Sequence, residues 1–446
     1  MIKVCTIGTG YVGLVSGACL ADFGNAVHCV DIDEGRIALL RSGGIPIYEP
    51  GLKELVSRNV DSLRLRFTTD IAEGVEGSDV VFIAVGTPPK ADGSADLSHV
   101  FAVAEGIAKH LNDYKVIVTK STVPVGTTRE IAAFIKAKAA PDAEFDVVAN
   151  PEFLREGSAV EDFMRPNRVV IGAETERAKD LMKKVYRPLY LIETPILITD
   201  LETAELVKHA SNAFLATKIS FVNEIAAISE LVGANIDDVS KGMGLDGRIG
   251  SKFLHAGIGF GGSCLPKDIS SLIHIASSRG YEPGIVRAIF DLNDGLPARA
   301  IAKLKEELGI LRGKEICILG LAFKPNTDDL RDAPSIRVIK GLLEEGARIR
   351  VFDPVAMENF KKTVPVEVAY CKNAYEAAER SDAVMLVTEW NEFRQLDLPR
   401  LKESMRVPVF IDCRNVYKPD RMFEHGFRYR SFGRGVESRR KKERPI

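Results

Sequence analysis

The turn Gly8-Thr-Gly10-Tyr11-Val12-Gly13 follows an apolar run at residues 2–7 and opens a helical pattern. Three glycines at this spacing narrow the possible folds more than any other stretch of the chain. Gly8 permits a tight turn, Gly10 lets a pyrophosphate approach the backbone, and Gly13 lets the helix pack against its strand. The helix N-terminus, with Tyr11 and Val12 in its first turn, then faces the phosphates. Asp31 ends the next apolar run, 23 residues after Gly8. A carboxylate there accepts hydrogen bonds from the adenosine ribose and repels a 2′-phosphate. The cofactor this predicts is NAD rather than NADP, with Arg36 the one neighbour that speaks for a 2′-phosphate.

Short apolar runs then alternate with helical patterns. They fall at residues 27–32, 79–85, 115–120, 145–149 and 169–172, with helical stretches such as 127–140 between several of them. This rhythm predicts a doubly wound parallel α/β sheet. From Leu201 to Val232 the pattern is helical, with no Pro and no Gly. At about 1.5 Å per residue that is a rod of roughly 48 Å. Its length predicts a link between domains and a surface for a second chain.

Helical segments continue to about residue 298, and then the α/β rhythm restarts. A strand at 314–320, a helix at 334–346, a strand at 348–352 ending on Asp353, and strands at 383–388 and 407–412 follow. Gly320-Leu-Ala-Phe-Lys324 stands where a glycine turn belongs, without the second and third glycines. The fold class predicted is α/β, with two Rossmann-like doubly wound domains joined by a central helical domain that carries one long helix. The domain bounds predicted are 1–200, 201–298 and 299–435, with a solvated basic tail at 436–446.

Gly259-Phe-Gly261-Gly262-Ser263-Cys264-Leu-Pro266-Lys267-Asp268 holds three glycines and a proline among four in ten positions that a helix interior excludes. It predicts a tight loop that presents Cys264 at the start of a helix at 269–278. A helix N-terminus and a neighbouring ammonium favour the thiolate. A thiolate adds to an aldehyde carbon, the thiohemiacetal gives up hydride, and a thioester remains. A lone cysteine is usually a small buried residue, as Cys5, Cys29 and Cys317 read in their apolar runs. The glycine loop with Lys267 and Asp268 marks Cys264 as the reactive one.

Lys208 and Asn212 lie four residues apart in the long helical pattern, so they share a face. An ammonium there can stabilise an alkoxide and an amide can hold water. On spacing alone, a solvated helix face is the better account. Asn150-Pro-Glu152-Phe153-Leu154-Arg155-Glu156-Gly157 and Lys120-Ser-Thr122-Val-Pro124 follow strand ends, where ligands bind in open α/β sheets. Glu152 suits a general base and Glu156 a place beside the nicotinamide; both read equally as loop carboxylates.

Lys and Arg number 60 against 62 Asp and Glu, which gives no electrostatic footprint for nucleic acid or a membrane surface. No charged segment precedes the first apolar run, and no window is long enough to span a membrane. The chain has no Cys-x-x-Cys and no His pair at ligand spacing, so no metal is expected. Cysteines scattered without paired spacing predict a cytoplasmic protein.

On these motifs the chain resembles the UDP-glucose/GDP-mannose dehydrogenase family. The resemblance runs from residue 1 to about residue 430 and also rests on Pro46-Ile-Tyr-Glu-Pro-Gly51, Gly86-Thr87-Pro88 and residues 208–214 and 323–331. It implies a four-electron dehydrogenase that uses two NAD per nucleotide sugar. It implies Cys264 as nucleophile, with Lys208, Asn212 and Asp268 stabilising oxyanions and orienting water. Glu152 would be the general base of thioester hydrolysis, and Thr122 would hold the water or the cofactor. Cofactor contacts implied are Asp31, Arg36, Thr87, Thr122, Glu156 and Arg331. Substrate contacts implied are Phe153, Leu154, Arg155, Glu156, Lys208, Asn212, Arg248, Phe253, Leu254, His255, Gly257, Gly261, Lys324 and Arg414. Arg248 would come from a neighbouring subunit, so the partner implied is a second copy of the chain. The central domain would dimerise and catalyse, and the C-terminal domain would hold the nucleotide of the sugar. His255 departs from the Lys common in close relatives, which weakens a pyrophosphate contact or makes it pH-dependent.

Within the family, Pro46-Ile-Tyr-Glu-Pro and Arg248-Ile-Gly-Ser-Lys252-Phe-Leu look like the UDP-glucose branch. The branch acting on UDP-N-acetylated sugars usually places His before the cysteine, where Ser263 stands here. GDP-mannose is the alternative substrate. A two-electron hydroxyacid dehydrogenase would need no thiol, and an inactive nucleotide-sugar sensor would need none of Cys264, Lys208, Asn212 and Asp268.

Overall fold

A computed structural model describes residues 1–434, and the predicted basic tail at 436–446 lies outside them. The chain divides into two compact units: Met1–Ser211 with Ser270–Glu282, and Asn212–Ile269 with the described residues from Pro283 onward.

The first unit holds eight strands: β1 (Lys3–Ile7), β2 (Ala26–Val30), β3 (Leu65–Thr68), β4 (Val80–Ile83), β5 (Lys115–Thr119), β6 (Phe145–Ala149), β7 (Val169–Ala173) and β8 (Ile196–Thr199). They form one sheet in the order β3-β2-β1-β4-β5-β6-β7-β8. The order reverses beside β1, the switch point at which open α/β sheets bind ligands. Helices cover both faces, so β4 buries alternate residues in two cores. Val80 and Phe82 join Leu14, Leu55 and Met182, while Val81 and Ile83 join Val100, Ile117 and Ile131.

The sheet is parallel except that β6 pairs antiparallel with β7. The all-parallel expectation is corrected there. Residues 150–168 carry only a six-residue helix, Ala159–Met164, and return the chain at the edge where β6 ends rather than crossing a face. The Asn150 loop therefore stays at the strand-end edge of the sheet. β3 and β8 were not anticipated; each is only four residues long, and β8 is a half-exposed edge.

The second unit holds β9 (Glu315–Leu319), β10 (Arg348–Phe352), β11 (Ala369–Tyr370), β12 (Ala383–Leu386), β13 (Val409–Asp412) and β14 (Arg428–Ser431). All pair parallel, in the order β11-β10-β9-β12-β13-β14. It repeats the first unit's opening move. Gly8 donates its N–H to the Val30 carbonyl at 2.7 Å, and Gly320 donates to Phe352 at 2.8 Å. Both glycines have positive φ, +104° and +95°.

The carboxylates that end the second strand of each sheet differ. Asp353 is 1 % exposed and accepts from the N–H groups of Leu321, Ala322, Val355 and Ala356 and from the Trp390 indole, at 2.7–3.1 Å.

The central helices follow the sequence closely. Leu201–Val232 is one helix of 32 residues, with the bounds predicted. Gly284–Leu308 is a second long helix, with Pro297 inside it. Among the described residues, no helix is long and apolar enough to cross a membrane.

Candidate active site

In the first unit, the glycine turn is shaped by close approach. A Cβ on Gly8 would stand 2.6 Å from the Ala84 carbonyl oxygen, and one on Gly13 2.0 Å from that of Gly8. A Cβ on Gly10 would meet nothing within 4 Å, so that side of the backbone is open to a ligand. Tyr11 and Val12 begin the helix Tyr11–Asp22, whose free N–H groups face the turn.

Asp31 accepts from the Thr9 N–H and hydroxyl, both at 2.7 Å, and lies 3.6 Å from Arg36. Burial alone would raise the Asp31 carboxyl. The Thr9 and Asp33 hydrogen bonds and the Arg36 charge outweigh it, so the group is held below the ordinary value and stays ionised. A carboxylate has about four lone-pair positions, so it can still accept a ribose hydroxyl.

Thr87 is buried and donates to the Thr122 carbonyl at 2.8 Å, joining two of the predicted cofactor loops. Glu156 lies in the same unit, half-buried in the loop after β6. These residues fit a dinucleotide with free 2′-hydroxyl. Arg331, predicted as a cofactor contact, lies in the second unit and pairs with Asp329 at 2.8–2.9 Å.

The first unit also holds the Glu152 cluster. Lys208 Nζ lies 3.0 Å from Glu152 Oε1, and both side chains are buried. Glu152 Oε2 accepts from the Leu154 N–H at 2.5 Å. Phe153 is flanked by Lys208 and, at 3.5 Å, by the Arg168 guanidinium. A small cleft of about 50 Å³ lies here, lined by Lys120, Asn150, Glu152, Phe153 and Arg168 among others. Arg155, a predicted substrate contact, pairs instead with Asp162 at 2.6 Å.

Three residues to which sequence reasoning gave no role hold this region together. Glu49 accepts from the N–H groups of Gly157 and Ala159 at 2.7 and 2.8 Å, which pins the end of the Glu152 loop. Glu205 accepts from Gly126 and Thr128 and so ties the Thr122 loop to the long helix. Lys120 is fully buried against Asn150 and Tyr186. Burial pushes its ammonium down to about 8, opposed by Glu152 and reinforced by Lys208. A charged residue inside a helix or strand pattern was the available signal for Glu205 and Lys120. Glu49 stood inside Pro46–Gly51, a motif noted only for its likeness.

In the second unit the thiol loop ends where a helix begins. That helix is Leu265–Ser277, four residues longer at its start than predicted, because Pro266 near the N-terminus costs no hydrogen bond. The Asp268 N–H donates to the Cys264 carbonyl at 2.9 Å, so Cys264 caps the helix. Six of the seven cysteines are buried, and Cys264 alone is partly exposed.

Asp268 is 1 % exposed and accepts from Asn212 Nδ2 and from Lys267 Nζ, each at 2.6 Å. Asn212 and Lys208 sit one helical turn apart on the same helix, as their spacing predicted. Neither lies on a solvated face: both are buried.

The glycines of the thiol loop are wedged against β-sheet loops. A Cβ on Gly261 would meet the Asp332 carbonyl oxygen at 2.3 Å, and one on Gly262 the Phe323 ring at 2.7 Å. Lys324 follows that ring, 5.3 Å from it. Arg414 donates to the carbonyls of Gly259, Val387 and Phe323 at 2.8, 2.8 and 3.1 Å. In this structure it braces the loop rather than projecting into space.

Among the other substrate candidates, Leu254 is packed in a small core with Val222, Ala226 and Ile236, so only its backbone can reach a ligand. Gly257 donates its N–H to Asn223 at 2.9 Å. Phe253 has φ +67°, an uncommon conformation for a non-glycine residue, and His255 is exposed. Arg248 is 90 % exposed at its side chain and pairs with Asp246. Among the described residues, no group of three or more His, Cys, Asp or Glu is placed to hold a metal ion.

Comparison with known proteins gives a consistent picture over the whole chain. Residues 2–190, 202–295 and 317–419 match, in turn, the NAD binding, central and UDP binding domains described for the UDP-glucose/GDP-mannose dehydrogenase family. The chain is 53 % identical over 439 residues to a UDP-glucose 6-dehydrogenase of Rhizobium meliloti (strain 1021), covering 97 % of this chain and all of that one. It is 47 % identical to the UDP-glucose 6-dehydrogenase TuaD of Bacillus subtilis (strain 168), covering 97 % and 94 %. A solved UDP-glucose dehydrogenase from the archaeon Pyrobaculum islandicum is 41 % identical and superposes with a TM-score of 0.89 over 94 % of this chain and 96 % of that one.

Proposed function

This chain belongs to the UDP-glucose/GDP-mannose dehydrogenase family, and from that premise we propose that it is an NAD-dependent enzyme oxidising UDP-glucose at C6 to UDP-glucuronate. The observation that carries the chemistry is the pairing of a helix-capping thiol, Cys264, with the buried Asn212–Asp268 pair in the same unit. The sugar rests on the relatives, all of whose names above specify UDP-glucose.

The Gly8–Gly13 turn, Asp31 and Thr87 would hold NAD, which would supply the hydride acceptor for both oxidations. The C6 alcohol gives its proton to solvent and a C6 hydrogen as hydride, leaving an aldehyde, with Lys208 stabilising the alkoxide on the way. The Cys264 thiolate bonds to the aldehyde carbon, and Asn212 and Lys208 hold the resulting oxyanion. Loss of a second hydride from that carbon leaves a thioester on Cys264. Glu152 takes a proton from water, the water oxygen bonds to the carbonyl carbon, and the carbon–sulfur bond breaks. Cys264 leaves as thiolate and the product as the acid, which loses its remaining proton to solvent and departs as carboxylate. Thr122 and Asp268 orient the water and the amide. Phe153, Leu154, Glu156 and Lys324 are the proposed contacts of the sugar and its diphosphate, with Arg414 bracing the thiol loop.

The test is catalytic efficiency on UDP-glucose and GDP-mannose at one NAD concentration, read as NADH formed per sugar. The expected result is two NADH per UDP-glucose and a clear preference for it. A tenfold preference for GDP-mannose would replace the substrate and keep the mechanism; one NADH per sugar would remove the thioester.

The enzyme is proposed to act in the cytoplasm as a dimer or higher oligomer joined along the helix Leu201–Val232. Phe214, Phe221 and Ile228 recur every seventh residue on that helix and are exposed, a large apolar stripe for a solvated surface. Arg248, 90 % exposed at its side chain, is proposed to serve a neighbouring subunit's substrate. Sedimentation should show a dimer or larger at micromolar concentration. An active monomer at every concentration would sink this assignment, and Phe221→Glu should weaken association without touching the Asn212 face.

A further inference from the structure

We infer that Asn293 is a positioning residue for Cys264, its side-chain amide fixing the glycine turn that aims the thiol. The inference rests on the reading of Cys264 as nucleophile. Asn293 lies inside the helix Gly284–Leu308 and is buried. Its Oδ1 accepts the Phe260 N–H at 2.9 Å, and its Nδ2 donates to the Phe260 carbonyl at 3.0 Å. One amide thus completes both backbone groups of a single buried residue, in the way a neighbouring strand would.

The loop is built to let that amide in. Gly259 has φ +86°, and a Cβ there would stand 2.3 Å from Asn293 Oδ1 and 2.8 Å from Leu296. Phe260 is then followed by Gly261 and Gly262, which are wedged against the Asp332 carbonyl and the Phe323 ring, and by Ser263 and Cys264. The Asn293 amide is one wall of this channel and those two groups are the others. Three residues separate the clamp from the thiol, and two of them are glycines without freedom to move away.

The helix gives something up for this arrangement. Asn is a poor residue for a helix interior, because its amide competes for backbone groups. Pro297, four residues later, has no N–H to offer the Asn293 carbonyl. Two locally unfavourable choices in one turn mark a place where something other than helix stability set the sequence. No such compromise is needed if Asn293 only fills space; Leu has the same number and branching of side-chain heavy atoms and no polar groups to satisfy.

Asn293→Leu and Asn293→Ala test the inference. The readouts are kcat, the KM for NAD, the melting temperature, and the rate at which iodoacetamide modifies the single partly exposed thiol. With the clamp removed, kcat should fall at least tenfold and the alkylation rate at least threefold, because the thiol leaves its place at the helix N-terminus. The KM for NAD should stay within twofold, since the glycine turn and Asp31 belong to the other unit. A folded variant with a lower melting temperature but with kcat or the alkylation rate within twofold of the parent would show a merely structural role and overturn the inference. If both variants fail to fold, hydrogen exchange in the unaltered protein decides. The Phe260 amide should exchange at least a hundredfold slower than an unprotected one, and exchange at the unprotected rate would overturn the clamp. A parent protein that forms no NADH from any nucleotide sugar would defeat the functional reading instead, while the alkylation and exchange arms would still test the clamp.

Discussion

Cys264→Ser is expected to lower formation of the acid by about three orders of magnitude or more, the scale seen when a covalent nucleophile is removed. An alcohol at that position is not ionised at neutral pH, so it adds poorly to the aldehyde and cannot carry the acyl group through hydrolysis. The fold should survive the change. Cys264 caps the helix Leu265–Ser277, and Ser is among the preferred capping residues. The variant should therefore melt with the parent and still bind NAD. It should form at most one NADH per sugar in a single turnover, where the parent forms two. Acid production near the parental rate, followed by chromatography of UDP-glucuronate, would end the thioester mechanism.

Lys208→Met should be costly in two separable ways. The Lys208–Glu152 pair is 3.0 Å long with side chains only 3 % and 4 % exposed. Removing one partner leaves a buried carboxylate without its counter-charge, a loss of about 3–5 kcal/mol. Turnover should fall further than stability, because the same ammonium is assigned to the alkoxide. The double variant Lys208→Met with Glu152→Leu separates the two effects. Replacing both charges by apolar side chains should recover most of the lost stability in urea unfolding and none of the activity. A single variant as stable as the parent would mean that the pair is screened by water. A double variant that turns over would remove both residues from the chemistry.

The parts of this molecule that were legible in the sequence are those set by local backbone demands. Gly8, Gly10 and Gly13 each answer to a separate steric need, and the structure shows each one: two close approaches and one open space. The long helix was legible because an unbroken run from Leu201 to Val232 has no competing conformation. Lys208 and Asn212 were half legible. Their spacing put them on one face, but only packing decides that this face is buried, and the better account from spacing alone was the solvated one. The return from β6 to β7 was missed because strand direction is a property of the connection, and 150–168 carries no period that declares it. Glu49, Glu205 and Lys120 were missed for a related reason. Each is a charged residue that acts on backbone or side chains far away in sequence, 108 residues away for the Glu49 bond to Gly157. Arg414 shows the converse case, since its likeness to a ligand contact does not reveal that it already holds three carbonyls.

The crowded carboxylate at the end of β10 has a bearing on how the reaction can be timed. Asp31 and Asp353 occupy matching places after matching glycine bonds, but Asp353 has five internal donors and almost no surface. Leu321 and Ala322 follow Gly320, where the first turn has Thr9 and the open Gly10. Of the two turns, then, one can admit a dinucleotide and the other has sealed itself from within. A four-electron oxidation consumes two hydride acceptors, yet of the two glycine turns among the described residues only the first is open to one. The spent carrier must depart and a fresh one arrive while the half-oxidised sugar waits. A free aldehyde would escape in that interval. On the mechanism proposed above, a carbon–sulfur bond would keep the guest in place during the exchange, which would make the thiol a mooring as much as a nucleophile.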